Sequence, residues 1–137
     1  MTPTENLHCA IGELAYAIAC ADGQVQKEER EKFHNIVMAE LRCKDYSFNV
    51  SDIIFQIMDK DKTSTKDAYD WAIKELHTNS HYLSPNLKTT FIAVMEKVAK
   101  AYKPVTIDEE LLIEKFKREI EPLHGDPIYY ESVIQKK

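Results

Sequence analysis

Apolar residues along this chain recur at spacings of three and four rather than alternating, which predicts helices throughout. Leu7, Ile11, Leu14 and Ile18 form one face of a first helix from about Thr4 to Ala21. Thr2-Pro3-Thr4-Glu5 marks its start, with an N-cap hydroxyl, a proline at the first helical position and a Glu at the third. A short helix is expected from Ser51 to about Met58, and Ser64 with Asp67 opens the segment holding Ala68, Trp71, Ala72 and Leu76. Ser84-Pro85 opens a helix with Phe91, Val94, Met95 and Val98. Thr106-Ile107-Asp108-Glu109 is a capping box for the helix bearing Leu112, Ile113, Phe116 and Ile120, which Pro122 closes. Gly125-Asp126-Pro127 leads into a short C-terminal helix. Residues 44–50 and 60–65 are the expected loops. The expectation is a single all-α domain spanning 1–137, a compact bundle of six to seven helices.

Composition narrows the class of protein. Hydrophobic content of 44% with 30% charged residues is that of a water-soluble globular chain. Eighteen basic against 23 acidic residues give a net charge of −5, which argues against nucleic acid as the main partner, since phosphate needs a basic face. The three cysteines, Cys9, Cys20 and Cys43, are odd in number and lack C-x-x-C spacing, so buried thiols in a reducing compartment are expected. Neither a leader peptide nor a membrane span is legible, and a cytoplasmic location is expected.

One loop carries candidate chemistry. The apolar stripe stops at Ala21-Asp22-Gly23 and a charged helical stripe resumes with Glu28-Glu29. Gly23 suits the position after a helix end, and Asp22 leaves a carboxylate beside it as a cap, an ion-pair partner or a metal ligand. Shifting the sequence by 80 residues aligns Ile18-Ala19-Cys20-Ala21 with Val98-Ala99-Lys100-Ala101, Val25 with Val105, and Glu28-Glu29 with Asp108-Glu109. The chain therefore reads as two pseudo-repeated helix-loop-helix units. The second loop departs from the first, because Asp22 and Gly23 face Tyr102 and Lys103. An EF-hand is a poor match: Gly23, Val25 and Glu29 fit its sixth, eighth and twelfth places, but Ile18 and Cys20 fall where oxygen ligands are required.

The segment Leu14-Ala15-Tyr16-Ala17-Ile18-Ala19, with Ala21-Asp22-Gly23, Val25 and Glu28-Glu29, resembles the TerB family of tellurite-resistance-associated helical domains. The resemblance implies an all-α fold with two such units, and a divalent metal site fed by acidic residues of both loops. Here those residues would be Asp22, Glu28, Glu29, Asp108 and Glu109, with calcium or magnesium as the cation. Family members often carry Glu where this chain has Gln24 and Asp where it has Tyr102, so negative charge is reduced. Lys103 is a candidate to pair with Asp22 in place of a cation. Glu109 also has a purely structural role on offer, as the reciprocal acid of the capping box.

The remaining motifs are weaker. His77 and His81 stand four apart, a zinc-compatible spacing, but without a third ligand they read better as exposed residues at a helix end. Asp59-Lys60-Asp61-Lys62-Thr63 imitates a calcium loop but has Ser64 where the glycine belongs, so a solvated turn is expected. Cys20 lies near a helix C-terminus, where the dipole disfavours a thiolate. Tyr129 and Tyr130 are expected to close the core rather than serve a surface, whereas Tyr82 and Trp71 are candidates for a surface. No catalytic or cofactor-binding residue is assigned. A hydrolase using His34, His77 or His81 ranks below a non-enzymatic reading. By resemblance, that reading is a stress-response or tellurite-resistance-associated module that binds a partner protein. It has no direct membrane insertion and leaves a homodimer open. The alternative is a divalent-cation sensor using the Asp-Gly loop.

Overall fold

The computed structural model describes residues 2–21, 30–35, 48–100 and 106–129 of the chain. Its helices are α1 (Pro3–Ala19), α2 (residues 30–35), α3 (Phe48–Asp61), α4 (Thr65–Thr78), α5 (Pro85–Lys100) and α6 (Ile107–Ile120). A 3₁₀ turn, Ser80–Tyr82, links α4 to α5, and residues 127–129 are helical. No strand occurs among the described residues, and the architecture is an all-α bundle. None of these helices is long and apolar enough to cross a membrane.

The starts of the helices follow the sequence signals. Thr2 and Glu5 form a full capping box on α1, with Thr2 N donating to Glu5 Oε1 at 2.8 Å and Glu5 N to Thr2 Oγ1 at 3.1 Å. Ser64 Oγ accepts from Asp67 N at 3.1 Å to open α4, and Ser84 Oγ accepts from Leu87 N at 3.1 Å to open α5. The α6 box is built from Thr106 and Glu109.

The bundle is organised around α1, which packs chiefly on α3 and α4, then on α5 and α6. Leu7, Ile11, Leu14 and Ile18 are fully buried, as the stripe predicts, but so are Ala10, Ala15 and Ala17 on the other faces. A helix buried all round is a central helix, and its small residues let neighbours approach closely. Gly12 is the extreme case, because a Cβ there would overlap the Ser51 carbonyl oxygen and lie 3.0 Å from its carbonyl carbon. Ser51 Oγ closes this crossing by donating to the His8 carbonyl at 2.7 Å. Around α1 the core is filled by Phe33, Phe55, Leu76, Leu83, Phe91, Val94, Met95 and Phe116.

Two helix ends are made in ways the sequence hides. The α3 helix is longer than expected, running through Asp61, where the pattern suggested an end near Met58. It closes with Thr63 N donating to Met58 O at 3.0 Å and Lys62 N to Asp59 O at 3.3 Å, the two bonds of a Schellman motif. Lys62 accordingly sits at φ 55°, the left-handed region that normally falls to glycine. At the end of α6, Lys88 of α5 donates through Nζ to the carbonyls of Glu121 (2.9 Å) and Leu123 (3.1 Å), satisfying acceptors that the helix leaves unpaired.

Candidate functional site

The C-terminal end of α1 meets the start of α4, and clefts flank this joint on two sides. Thr65 Oγ1 donates to the Cys20 carbonyl at 3.1 Å, so the first residue of α4 satisfies an orphan acceptor of α1. Tyr16 reaches the turn between α3 and α4, its hydroxyl donating to the Thr63 carbonyl at 2.6 Å. The ring is held edge-on against Phe55 at 5.8 Å, and Phe55 stacks on Phe33 at 4.5 Å. Burial raises the pKa of the Tyr16 phenol above its usual value, with further contributions from its hydrogen bond to Cys20 and from the negative charge of Asp59. Arg30 Nε bridges to Asp59 Oδ2 at 2.9 Å and ties α2 to α3. Tyr16, Cys20, Ala21, Arg30, Asp59, Lys60 and residues 62–65 together line a polar cleft of about 600 Å³.

A second cleft, of about 270 Å³, opens on the other side of the same joint. Ala21 and Thr65 line it together with Asp108, Leu111, Leu112 and Lys115 of α6. Ala21 is the residue before Asp22, so the chain entering the Asp-Gly segment and Asp108 in the first turn of α6 line one cleft. Asp108 is exposed there. Glu109 is 2% exposed, and its Oε1 accepts from Thr106 N at 2.9 Å and from Thr106 Oγ1 at 3.1 Å. This oxygen carries the capping duty anticipated for it, and a cation drawing on the same oxygen would compete with the cap. Asp22, Glu28, Glu29, Tyr102 and Lys103 lie outside the described residues. Among those described, no three His, Cys, Asp or Glu side chains are grouped to hold a metal ion.

The histidines are dispersed. His34 lines a groove of about 870 Å³ between α2 and α3 with Glu31, Gln56, Asp59 and the half-exposed Ile53 and Ile57. In this groove Asp59 is engaged with Arg30. His77, in the last turn of α4, lies 3.6 Å from Glu119 of α6 with its side chain half exposed. His81 points elsewhere, setting its ring against Tyr129 at 5.3 Å while its carbonyl accepts from Asp126 N at 2.9 Å. Tyr129 is 40% exposed and packs on His81 and Tyr82, so it pins the C-terminal turn from outside instead of closing the core. Tyr130 lies outside the described residues.

One chemically unusual residue has no motif to announce it. Glu13 sits in the middle of α1, where its Oε1 is without accessible surface or a hydrogen-bond partner. Burial pushes its carboxyl up to about 8, with Glu75 of α4 adding repulsion. One turn earlier, Cys9 is 4% exposed, and burial together with Glu13 and Glu75 pushes its thiol up to about 11. The signal in the sequence is indirect: Glu13 is the only acidic or basic residue (Asp, Glu, Lys or Arg) between Glu5 and Asp22, and its neighbours in α1 on either side are buried.

Comparison with known proteins finds no family model that matches the chain, and no curated protein or solved structure with significant similarity to it.

Proposed function

We propose that this chain is a non-enzymatic TerB-like module that binds a partner protein at the bundle end where α1 stops and α6 begins. The observation that carries the reading is the make-up of that end. Ile107 and Leu111, one helical turn apart on α6, are 75% and 63% exposed beside the cleft that Ala21, Asp108 and Lys115 line. Exposed apolar residues rimmed by charges of both signs are a composition suited to protein recognition. The resemblance of residues 14–29 to the TerB family supports a stress-response or tellurite-resistance setting in the cytoplasm.

Affinity capture from the native host tests this. A partner held by the wild type and by a Trp71→Lys variant, but lost from Leu111→Lys, is the expected result. Equal capture by all three overturns it.

A second reading, a divalent-cation sensor, is favoured by Asp108 and Ala21 lining one cleft, because Asp22 directly follows Ala21. Thermal melts with and without Ca²⁺ or Mg²⁺ separate the two. A ligand that binds the native state raises the midpoint, whereas pairing of Asp22 with Lys103 predicts no rise.

A further inference from the structure

Glu13 is half-buried in the middle of α1, and among the described acids it alone has a carboxyl oxygen that is enclosed without a partner. Its Oε1 is enclosed and accepts no hydrogen bond. From α4 the charged group acting on it is Glu75, which repels it. From α1 the titratable neighbour is Cys9, whose thiol feels both acids. Burial and the negative charge of Glu75 are the two influences that raise its carboxyl. At the C-terminal end of α4 a neutral polar pair joins the chain segments, Asn6 Nδ2 donating to Asn79 Oδ1 at 3.5 Å while Asn79 Nδ2 donates to the Glu75 carbonyl at 2.9 Å.

An ionised Glu13 would keep its enclosed Oε1 without a donor and would be repelled by the negative charge of Glu75. A neutral carboxylic acid avoids that repulsion and retains an O–H that can rotate to an acceptor. We infer that Glu13 is a proton-held clasp of the α1/α4 contact. The contact is tight while Glu13 carries its proton and slackens when the proton passes to water, leaving Glu13 and Glu75 to repel one another. Because α1 is the axis on which the other helices pack, the proton is coupled to the stability of the whole bundle.

The direction of the coupling is fixed by linkage. The folded state keeps this proton up to about pH 8, whereas the unfolded chain releases it around its ordinary value of 4.5. Stability from this group is therefore greatest at acidic pH, falls as pH rises between those two values, and levels off above about pH 8.

Two measurements on the intact chain test the clasp. Side-chain carboxyl NMR of the wild type should show one glutamate titrating near pH 8, absent from Glu13→Gln. All glutamates titrating in the ordinary acidic range would overturn the inference, and this readout needs no variant that has to fold. In thermal melts, the midpoint of Glu13→Gln minus that of the wild type should grow steadily from pH 5 to pH 8 and then stay constant. Parallel profiles would overturn it. Glu75→Gln should shift the glutamate titration to lower pH and shrink the fall in midpoint; an unmoved titration would contradict the role given to Glu75.

Discussion

Gly12 and Ser51 are in backbone contact: a Cβ on Gly12 would overlap the Ser51 carbonyl oxygen and stand 3.1 Å from its Cα. The crossing of α1 over α3 depends on this absence of a side chain, and the buried Ser51 hydroxyl then locks it onto the His8 carbonyl. Gly12→Ala gains about 1 kcal/mol in helix propensity but must push two backbones apart. Overpacking against backbone costs about 3 kcal/mol or more, so the clash wins. Ser51→Ala removes one buried hydrogen bond and costs about 1 kcal/mol. Urea denaturation should rank the two variants in that order; a Gly12→Ala variant as stable as the wild type would mean that the helices do not approach this closely.

Lys62 invites the opposite kind of change. Its φ of 55° is imposed by the Schellman closure of α3, and a lysine there carries a steric cost that glycine does not. Lys62→Gly should stabilise the fold by about 1 kcal/mol, because relief of strain outweighs the added freedom of the unfolded chain. The check is the denaturation midpoint in urea, and Lys62→Ala should show no such gain.

The end of α6 gives a third expectation. Lys88 donates to two carbonyls beyond the helix, so Lys88→Met keeps the aliphatic stem and loses only the donor. A loss of about 1 kcal/mol is expected, with hydrogen exchange accelerated at the α6 C-terminus ahead of α1.

Cys9 should be chemically silent in the folded protein. Its thiol is buried and pushed up to about 11, against about 9 in the unfolded chain. Since the folded state holds this proton over that interval, stability falls as pH climbs from about 9 to about 11. In a chain whose other two cysteines are replaced by serine, iodoacetamide at pH 8 should label Cys9 only on unfolding. Rapid labelling of the native protein would contradict its burial.

Much of this fold could be read from side-chain chemistry that acts locally. Thr2 with Glu5, Ser64 with Asp67, Ser84 before Pro85, and Thr106 with Glu109 each cap a helix through residues three apart, and such signals survive in a linear sequence. What escaped depends on partners distant along the chain. Gly12 gains its meaning from Ser51, and Tyr16 from the Thr63 carbonyl. Lys62 conceals a helix stop because the stop usually announces itself as glycine. Aromatic bulk places Tyr129 inside in a reading of the sequence, but its ring neighbours are the exposed His81 and the half-buried Tyr82. At the candidate site, Glu109 was legible as a cap. The nearness of Asp108 to Ala21 was not, since it is made by the packing of α6 against the α1 end. Glu13 was hidden because a single acid within an apolar stripe looks like a solvated interruption, and only the packed structure shows that one of its carboxyl oxygens is enclosed.

The most direct test of the account is capture of a partner through the α1/α6 end of the bundle. Wild-type protein, Leu111→Lys and Trp71→Lys should first be matched for stability by thermal melting, and then used as bait in lysate of the native host. The account predicts one specific protein retained by the wild type and by Trp71→Lys, and lost from Leu111→Lys. Retention of that protein by Leu111→Lys at the wild-type level would contradict it.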